Sequence, residues 1–141
     1  MYQKLIVTMS KPKTIIGSEE FVSFPELGVK VIHARVDTGA ATSSLGVKWI
    51  KEEEGVVSCL FNKQILTFDN FKKKTIKSSF GHTEERYVVK ILINVLGRKV
   101  RTDFTLANRS KMKFPILLGR KLLKSKFIVD VDLKNQSIGV S

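Results

Sequence analysis

Asp37 stands where an apolar run ends and small residues begin: Val36–Asp37–Thr38–Gly39–Ala40, followed by Ala41, Thr42 and Ser43. A carboxylate in such a loop is suited to general acid–base work, taking a proton from water or giving one to a carbonyl. Asp, Thr and Gly are also ordinary turn formers, so the tripeptide alone reads equally as a turn. A second segment, Phe114–Pro115–Ile116–Leu117–Leu118–Gly119–Arg120, is apolar until it ends in Gly-Arg. Other chemistry-bearing side chains are few: His33, His82 and Cys59. A zinc hydrolase needs about three protein ligands, and His82–Thr83–Glu84–Glu85 lacks the His-Glu-x-x-His spacing. The chain also has no Gly-x-x-x-x-Gly-Lys-Ser/Thr phosphate loop.

The elements that must position these residues read as strands. Short runs rich in Val, Ile, Phe and Thr alternate with Gly, Asn or charged turns, an all-β pattern. Glu20–Phe24 predicts a strand closed by Pro25. Val29–Val36 predicts the strand leading into Asp37, with Ile32, Ala34 and Val36 on one face and Val29, Val31 and His33 on the other. His33 therefore reads as an ordinary sheet residue. Further strands are expected at Leu45–Lys51, Val56–Asn62, Gln64–Phe71, Glu85–Val95, Lys99–Leu106, Pro115–Leu118, Phe127–Leu133 and Gln136–Val140. Asn62–Lys63 and Leu96–Gly97–Arg98 are the expected hairpin turns. Arg120–Lys126, following Gly119, is the one stretch that favours a helix. Many short strands and one short helix predict a small β-barrel.

The two segments together resemble the retropepsin family, in which an apolar strand enters Asp-Thr-Gly and a later apolar strand ends in Gly-Arg and opens a helix. Phe71–Val88 resembles the flap hairpin in position, with Ser78–Ser79–Phe80–Gly81 as its tip. Within that family, a finer set of motifs recurs in order. They are Ile16–Gly17, Phe24–Pro25–Glu26–Leu27–Gly28, Asp37–Thr38–Gly39–Ala40 with Thr42–Ser43, and Ser78–Ser79 with Gly81–His82 and Glu85–Arg86. Leu106 with Asn108–Arg109, and Leu117–Leu118–Gly119–Arg120, complete the set. These are similar to the bacterial retropepsin-like proteins often labelled ATP-dependent zinc proteases, a group associated with ATP-grasp ligases that add glutamate to proteins. The resemblance spans roughly residues 16 to 133.

The resemblance implies an all-β, retropepsin-like (acid protease) closed barrel with a flap hairpin and one short C-terminal helix. It implies a domain over 16–141 preceded by an N-terminal segment, 1–15. The activity implied is that of an aspartic endopeptidase. Two carboxylates share a proton, one activating water and the other serving as acid toward the scissile carbonyl. Their titrations belong to the pair. By resemblance Asp37 is the catalytic carboxylate, Thr38 holds the loop through its hydroxyl, and Gly39 lets backbone approach the carboxylate. Ala40, Ser78, Ser79, Gly81 and His82 would meet substrate, while Gly119 and Arg120 would brace the loops and the dimer. The remaining aspartates, Asp69, Asp103, Asp130 and Asp132, are not followed by Thr/Ser-Gly. A two-fold homodimer is therefore expected to supply the second Asp37. No cofactor is expected, and the zinc and ATP labels find no support in the residues. The flap tip, Ser-Ser-Phe-Gly-His, is less glycine-rich than that of viral members.

Composition sets the remaining bounds. The 141 residues are 43% hydrophobic and 27% charged, as in a globular domain with one core. One cysteine excludes an intrachain disulfide. The apolar run Leu5–Met9 is too short for a signal core or a membrane span, so a cytoplasmic location without a membrane partner is the expectation. Lys and Arg number 25 against 13 acids, a net charge of +12. Such a surface attracts anions. The glutamate-ligase association points to an acidic, polyglutamate-tailed polypeptide as the partner and substrate. Lys72–Lys74, Lys77, Arg86 and Lys90 cluster around the expected flap. Nucleic acid is not the expected partner, because no aromatic-rich basic strand is present. The competing reading is a catalytically silent retropepsin fold kept as a binding or dimerisation module, since fold alone does not establish activity.

Overall fold

Alternating burial along Glu19–Phe24, Val56–Phe61, residues 89–95 and Ile116–Leu118 shows why these stretches make sheets. In the computed structural model, which describes residues 11–77, 80–108 and 113–137, the strands run in the following order. They are β1 Thr14–Ile16, β2 Glu19–Phe24, β3 Val29–Val36, β4 Ser43–Val47, β5 Ile50–Glu53, β6 Val56–Phe61 and β7 Gln64–Phe68. Next come β8 Lys72–Lys77, β9 Thr83–Val95, β10 Arg98–Asn108, β11 Ile116–Leu118, an α-helix α1 Arg120–Leu123, and β12 Phe127–Val129. The fold is all-β, as expected from the sequence. Strand pairings β10–β4–β11–β3–β2–β9 return to β10 through the β9–β10 hairpin, so six strands form a hydrogen-bonded ring. β8 hangs on the free half of β9, and β5–β6–β7 form a separate sheet against the ring.

The core lies inside the ring and under the three-stranded sheet. Phe24 meets Phe61 edge-on at 6.0 Å and Phe104 at 5.6 Å, which ties β2, β6 and β10 together. Cys59 is fully buried in this core, and burial pushes its thiol up to about 11. That makes it an inert packing residue. The tight turns explain the hairpins. Glu54–Gly55, Asn62–Lys63 and Leu96–Gly97 each place both loop residues at positive φ, the geometry that matches strand twist in a two-residue loop.

Several boundaries differ from the sequence reading, each for a physical reason. Leu45–Lys51 is two strands, because Lys48 and Trp49 leave the ring and bond Leu60 of β6 at 2.9 and 3.2 Å. Gln64–Phe71 stops at Phe68, where Asp69 and Asn70 turn the chain. Phe127–Leu133 stops at Val129. Asp130 then accepts from the Asp132 amide at 3.0 Å and closes a turn. The helix ends at Leu123 rather than Lys126, since Lys124 turns extended and Ser125 takes φ 68°. Of the expected strand Gln136–Val140, Gln136 and Ser137 form a turn and the rest lies outside the described residues. Val29 is buried on the same side as Ile32, against the alternation. An extra residue in β3 opposite Val22–Phe24 resets the phase there.

That C-terminal turn is held by a buried acid. Glu20 shares the inward face of β2 with Val22 and Phe24 and is fully buried. Its carboxylate accepts from the Phe21, Gln136 and Ser137 amides at 2.8, 2.7 and 3.3 Å and from the Ser137 hydroxyl at 2.6 Å. Removing it leaves those donors unpaired in a confined space. Glu20→Ala is expected to lower stability by about 3 kcal/mol. Urea unfolding checks this, and a loss under about 1 kcal/mol would show that the clasp contributes little.

Candidate active site

β3 delivers Asp37 to the end of a hydrogen-bonded ladder. Its last residues pair in parallel with β11, Ala34 with Ile116 and Val36 with Leu118. The Asp37 amide extends that ladder by donating to the Leu118 carbonyl at 2.9 Å. The chain then folds back on itself. The Gly39 amide donates to Asp37 Oδ1 at 3.1 Å, and the Ala40 amide to the Asp37 carbonyl at 3.2 Å. The half-buried carboxylate is thus aimed by its own loop. A Cβ at Gly39 would sit 3.4 Å from Asp37 Oδ1, an ordinary contact. Neither close approach nor an unusual backbone therefore requires glycine at this position.

The Gly-Arg segment lies directly under that loop. The Arg120 and Lys121 amides, the first donors of α1, bond the Ala40 and Ala41 carbonyls at 2.9 and 3.0 Å. Donors that a helix start leaves unpaired are satisfied by the loop. Arg120 Nη1 donates to the Thr38 carbonyl at 2.9 Å, and the Gly119 amide to Ser43 Oγ at 3.0 Å. Asp37, Thr38, Gly39, Ala40, Gly119 and Arg120 are therefore brought together. Thr38 enters through its carbonyl. Within one chain the expected brace through its hydroxyl is absent among the described residues, and Thr38 stands exposed.

Asp37 borders two recesses. One, of ≈ 480 Å³, is lined by Arg35, Val36, Thr38, Lys113, Phe114 and Leu117. The other, of ≈ 350 Å³, runs beneath the β8–β9 hairpin past Ala40, Ser44, Lys74, Arg86 and Thr105. No second carboxylate lines either one among the described residues. The hairpin expected as a flap is present, with Lys72 to Lys77 paired antiparallel to Val88 to Thr83. Of its tip, Ser78 and Ser79 lie outside the described residues. Gly81 and His82 are exposed at its far end and are not among the residues lining the recess. Sequence reasoning missed Ser44 and Thr105 as recess residues. Only their register shows it, since β4 and β10 pair Ser44 with Thr105.

The root of the hairpin is tied to the three-stranded sheet. Glu52 accepts from the Tyr87 hydroxyl at 2.8 Å and pairs with Lys73 at 3.0 Å. The tyrosine hydrogen bond first, then Lys73, hold the Glu52 carboxyl below its usual range. A lowered carboxylate stabilises the fold above its unfolded pKa and loses that contribution as pH falls through its folded one. This tie is solvent-exposed and loosens in acid.

The donor set does not fit a zinc centre. Cys59 is sealed in the core. His33 stacks on Phe21 at 4.3 Å and bonds Glu19 at 3.2 Å and Asn135 at 3.1 Å, a sheet residue serving packing. No group of three or more His, Cys, Asp or Glu converges among the described residues. No helix among them is long and apolar enough to cross a membrane.

Comparison with known proteins agrees with this geometry. The model of the family described as "Retropepsin-like aspartic endopeptidase RimB" matches residues 15–138. A protein of Shewanella pealeana described as "Probable alpha-L-glutamate ligase" is 39% identical over 135 residues, 86% of this chain and 29% of the relative. One of Desulfotalea psychrophila, with the same description, is 37% identical over 134 residues, again 86% and 29%. The chain thus spans less than a third of the length of the curated relatives it matches. The crystal structure of Lpg0085 from Legionella pneumophila, a protein described as of unknown function, superposes with TM-score 0.67 at 22% identity. That match covers 89% of this chain and 99% of the other, and it shares the fold.

Proposed function

The chain belongs to the RimB-like family of retropepsin-like aspartic endopeptidases, and from that premise we propose that it is a homodimeric aspartic peptidase acting on glutamate-rich polypeptide. One observation carries the reading. A single oriented carboxylate, Asp37, sits beside a recess under a hairpin, with no second acid in either adjoining recess among the described residues. Two copies related by a two-fold axis bring two such loops together, and Thr38 and Arg120, exposed in one chain, face that junction. In the dimer one Asp37 accepts a proton from water while the other, protonated, hydrogen-bonds the scissile carbonyl. The water oxygen adds to the carbonyl carbon as the protonated Asp37 gives its proton to the carbonyl oxygen, and the proton taken from water then passes to the amide nitrogen as the C–N bond breaks, which releases the amine and leaves the new carboxyl group. Thr38, Gly39 and Arg120 hold the loop, Ala40 borders substrate, and the family resemblance adds Ser78, Ser79, Gly81 and His82 as further substrate contacts. The chain needs no metal or cofactor in this reading, which a cytoplasmic setting with a reduced Cys59 suits.

The acidic substrate is supported by the net charge of +12 and by the name of the relatives, glutamate ligases, in which a stretch like this chain is one part. That same name favours a second reading, a silent module serving a ligase. Incubation with a protein carrying an oligo-α-L-glutamate tail, followed by mass spectrometry, separates them. Hydrolysis is expected, with a rate per subunit that rises with protein concentration as the dimer forms. Intact tails in the presence of a demonstrated dimer would leave the second reading. Chelator should leave the rate unchanged, and its loss on chelation with recovery on added zinc would overturn the metal-free route. Over a salt series the protein should hold polyglutamate more tightly than mixed-sequence RNA, both weakening as salt rises.

A further inference from the structure

Two buried polar groups beside Asp37 lack partners. Ser44 Oγ and Arg86 Nε are both closed to solvent and make no hydrogen bond. Both residues line the ≈ 350 Å³ recess that Asp37 borders. Buried polar groups are nearly always paired, so two orphans in one recess call for a common partner. Arg86 Nε offers only a hydrogen, and the Ser44 hydroxyl can offer one. A single group that pairs with both must be an acceptor.

Strand register supplies the charge. β8 and β9 place Lys74 opposite Arg86, and Lys72 opposite Val88. β9 and β10 place Val88 opposite Thr105, which β4 pairs with Ser44. Side chains two apart share a face, so Lys72, Lys74, Arg86, Thr105 and Ser44 form one row. Lys73 and Tyr87 take the other face, where Glu52 holds both. The Lys72–Lys74 run is thereby sorted. Its middle member is neutralised outside, while neither flanking lysine has an acidic partner among the described residues. Among the described residues Arg86 meets one acid, Glu84, through Nη2 at 3.5 Å, and Glu84 is itself mostly exposed. Arg86 Nε is thus left without a partner, in a residue that lines the recess.

We infer that Arg86, with Ser44 and Lys74, is a subsite that takes the side-chain carboxylate of a substrate glutamate next to Asp37. A planar carboxylate accepts two parallel bonds from the Nε and Nη edges of a guanidinium. Ser44 donates a third, and Lys74 adds charge. A glutamine side chain matches the shape but places an amide donor against donors, so the site selects the acid over its isostere. The inference rests on the hydrolytic reading of Asp37, and a binding measurement tests it separately.

End-blocked hexapeptides of glutamate and of glutamine, each with the same flanking reporter, are the probes. Wild type is expected to prefer the glutamate peptide in kcat/KM by about ten-fold or more, and Arg86→Gln to cut that ratio by a similar factor. Lys63→Gln, the same charge loss at the β6–β7 turn, should keep the ratio. Ser44→Ala should lower the ratio several-fold while leaving the melting temperature equal or higher, because it removes an unpaired buried hydroxyl. In the Asp37→Asn background, poly-α-L-glutamate binding by fluorescence anisotropy should weaken about ten-fold with Arg86→Gln and not with Lys63→Gln. If wild type cleaves neither peptide but this binding difference holds, the subsite stands and the peptidase reading falls. A folded Arg86→Gln protein with unchanged ratio or unchanged binding overturns the subsite. So does an Arg86 effect confined to peptides with a free C-terminus, which would assign the site to the chain-end carboxylate.

Discussion

Asp37→Asn is expected to abolish hydrolysis of a glutamate-tailed substrate, with a fall of about a thousand-fold or more, while the protein stays folded. The two halves of this expectation have separate causes. The fold survives because asparagine keeps an oxygen at the Oδ1 position, so the Gly39 amide at 3.1 Å retains its acceptor. The backbone bonds from the Asp37 amide to Leu118 and from the Ala40 amide to Asp37 do not involve the side chain at all. In the proposed dimer two like carboxylates face each other, and the amide removes that repulsion. Stability should be equal or slightly higher. Activity disappears because one substitution per chain removes both members of the pair, general base and general acid together. The chain has no other Asp-Thr/Ser-Gly loop to replace them. Matched single-turnover assays and thermal melts of the two proteins decide the matter. A variant that cleaves at the wild-type rate would eliminate the aspartic route and move the binding-module reading to the front.

What could be read from the sequence follows the range of the interactions involved. The strand into Asp37 shows as local alternation, and the loop shows as three turn-forming residues followed by small ones. The hairpins at Asn62–Lys63 and Leu96–Gly97 show because the loop residues and the strands they join are adjacent. Glu20 does not show. Its partners, Gln136 and Ser137, lie more than a hundred residues away, and a Glu beside another Glu reads as a polar strand edge. The break inside Leu45–Lys51 is equally hidden. Its cause is a bond to Leu60 in another sheet, and the apolar Trp49–Ile50 continues the pattern across it. The lysine run at 72–74 looks like uniform surface charge until the β8–β9 register assigns alternate members to opposite faces. Ser44 is a plain small residue until its hydroxyl is found buried beside Asp37 without a partner. Motifs made of neighbours in sequence are legible, whereas sites made of neighbours across strands wait for the register.

Gly119→Ala should be far more damaging to the fold than its size implies, with a loss of about 3 kcal/mol or more. Gly119 has φ −97° and ψ 178°, extended backbone that any residue adopts, so strain is not the reason. The reason is contact. An added Cβ would lie 2.6 and 2.8 Å from the Thr42 carbonyl carbon and oxygen and 2.9 Å from the Ser43 amide nitrogen. All three are backbone atoms and cannot swing aside as a side-chain end would. The loop at 40–43 must then move away from the start of α1. That movement stretches the bonds from the Arg120 and Lys121 amides to Ala40 and Ala41, and from the Gly119 amide to Ser43 Oγ, all of them between 2.9 and 3.0 Å. It also shifts Thr38, whose carbonyl Arg120 holds. The effect therefore reaches the Asp37 loop and any dimer built on it. Gly39→Ala is the useful comparison, because its Cβ meets only Asp37 Oδ1, at 3.4 Å. It should leave global stability within about 1 kcal/mol of wild type. Urea unfolding of the two variants, with sedimentation to follow the dimer, tests the contrast. Equal stabilities for Gly119→Ala and wild type would mean that the loop and the helix are not packed as tightly as this contact requires, and the role assigned to the Gly-Arg segment would go with it.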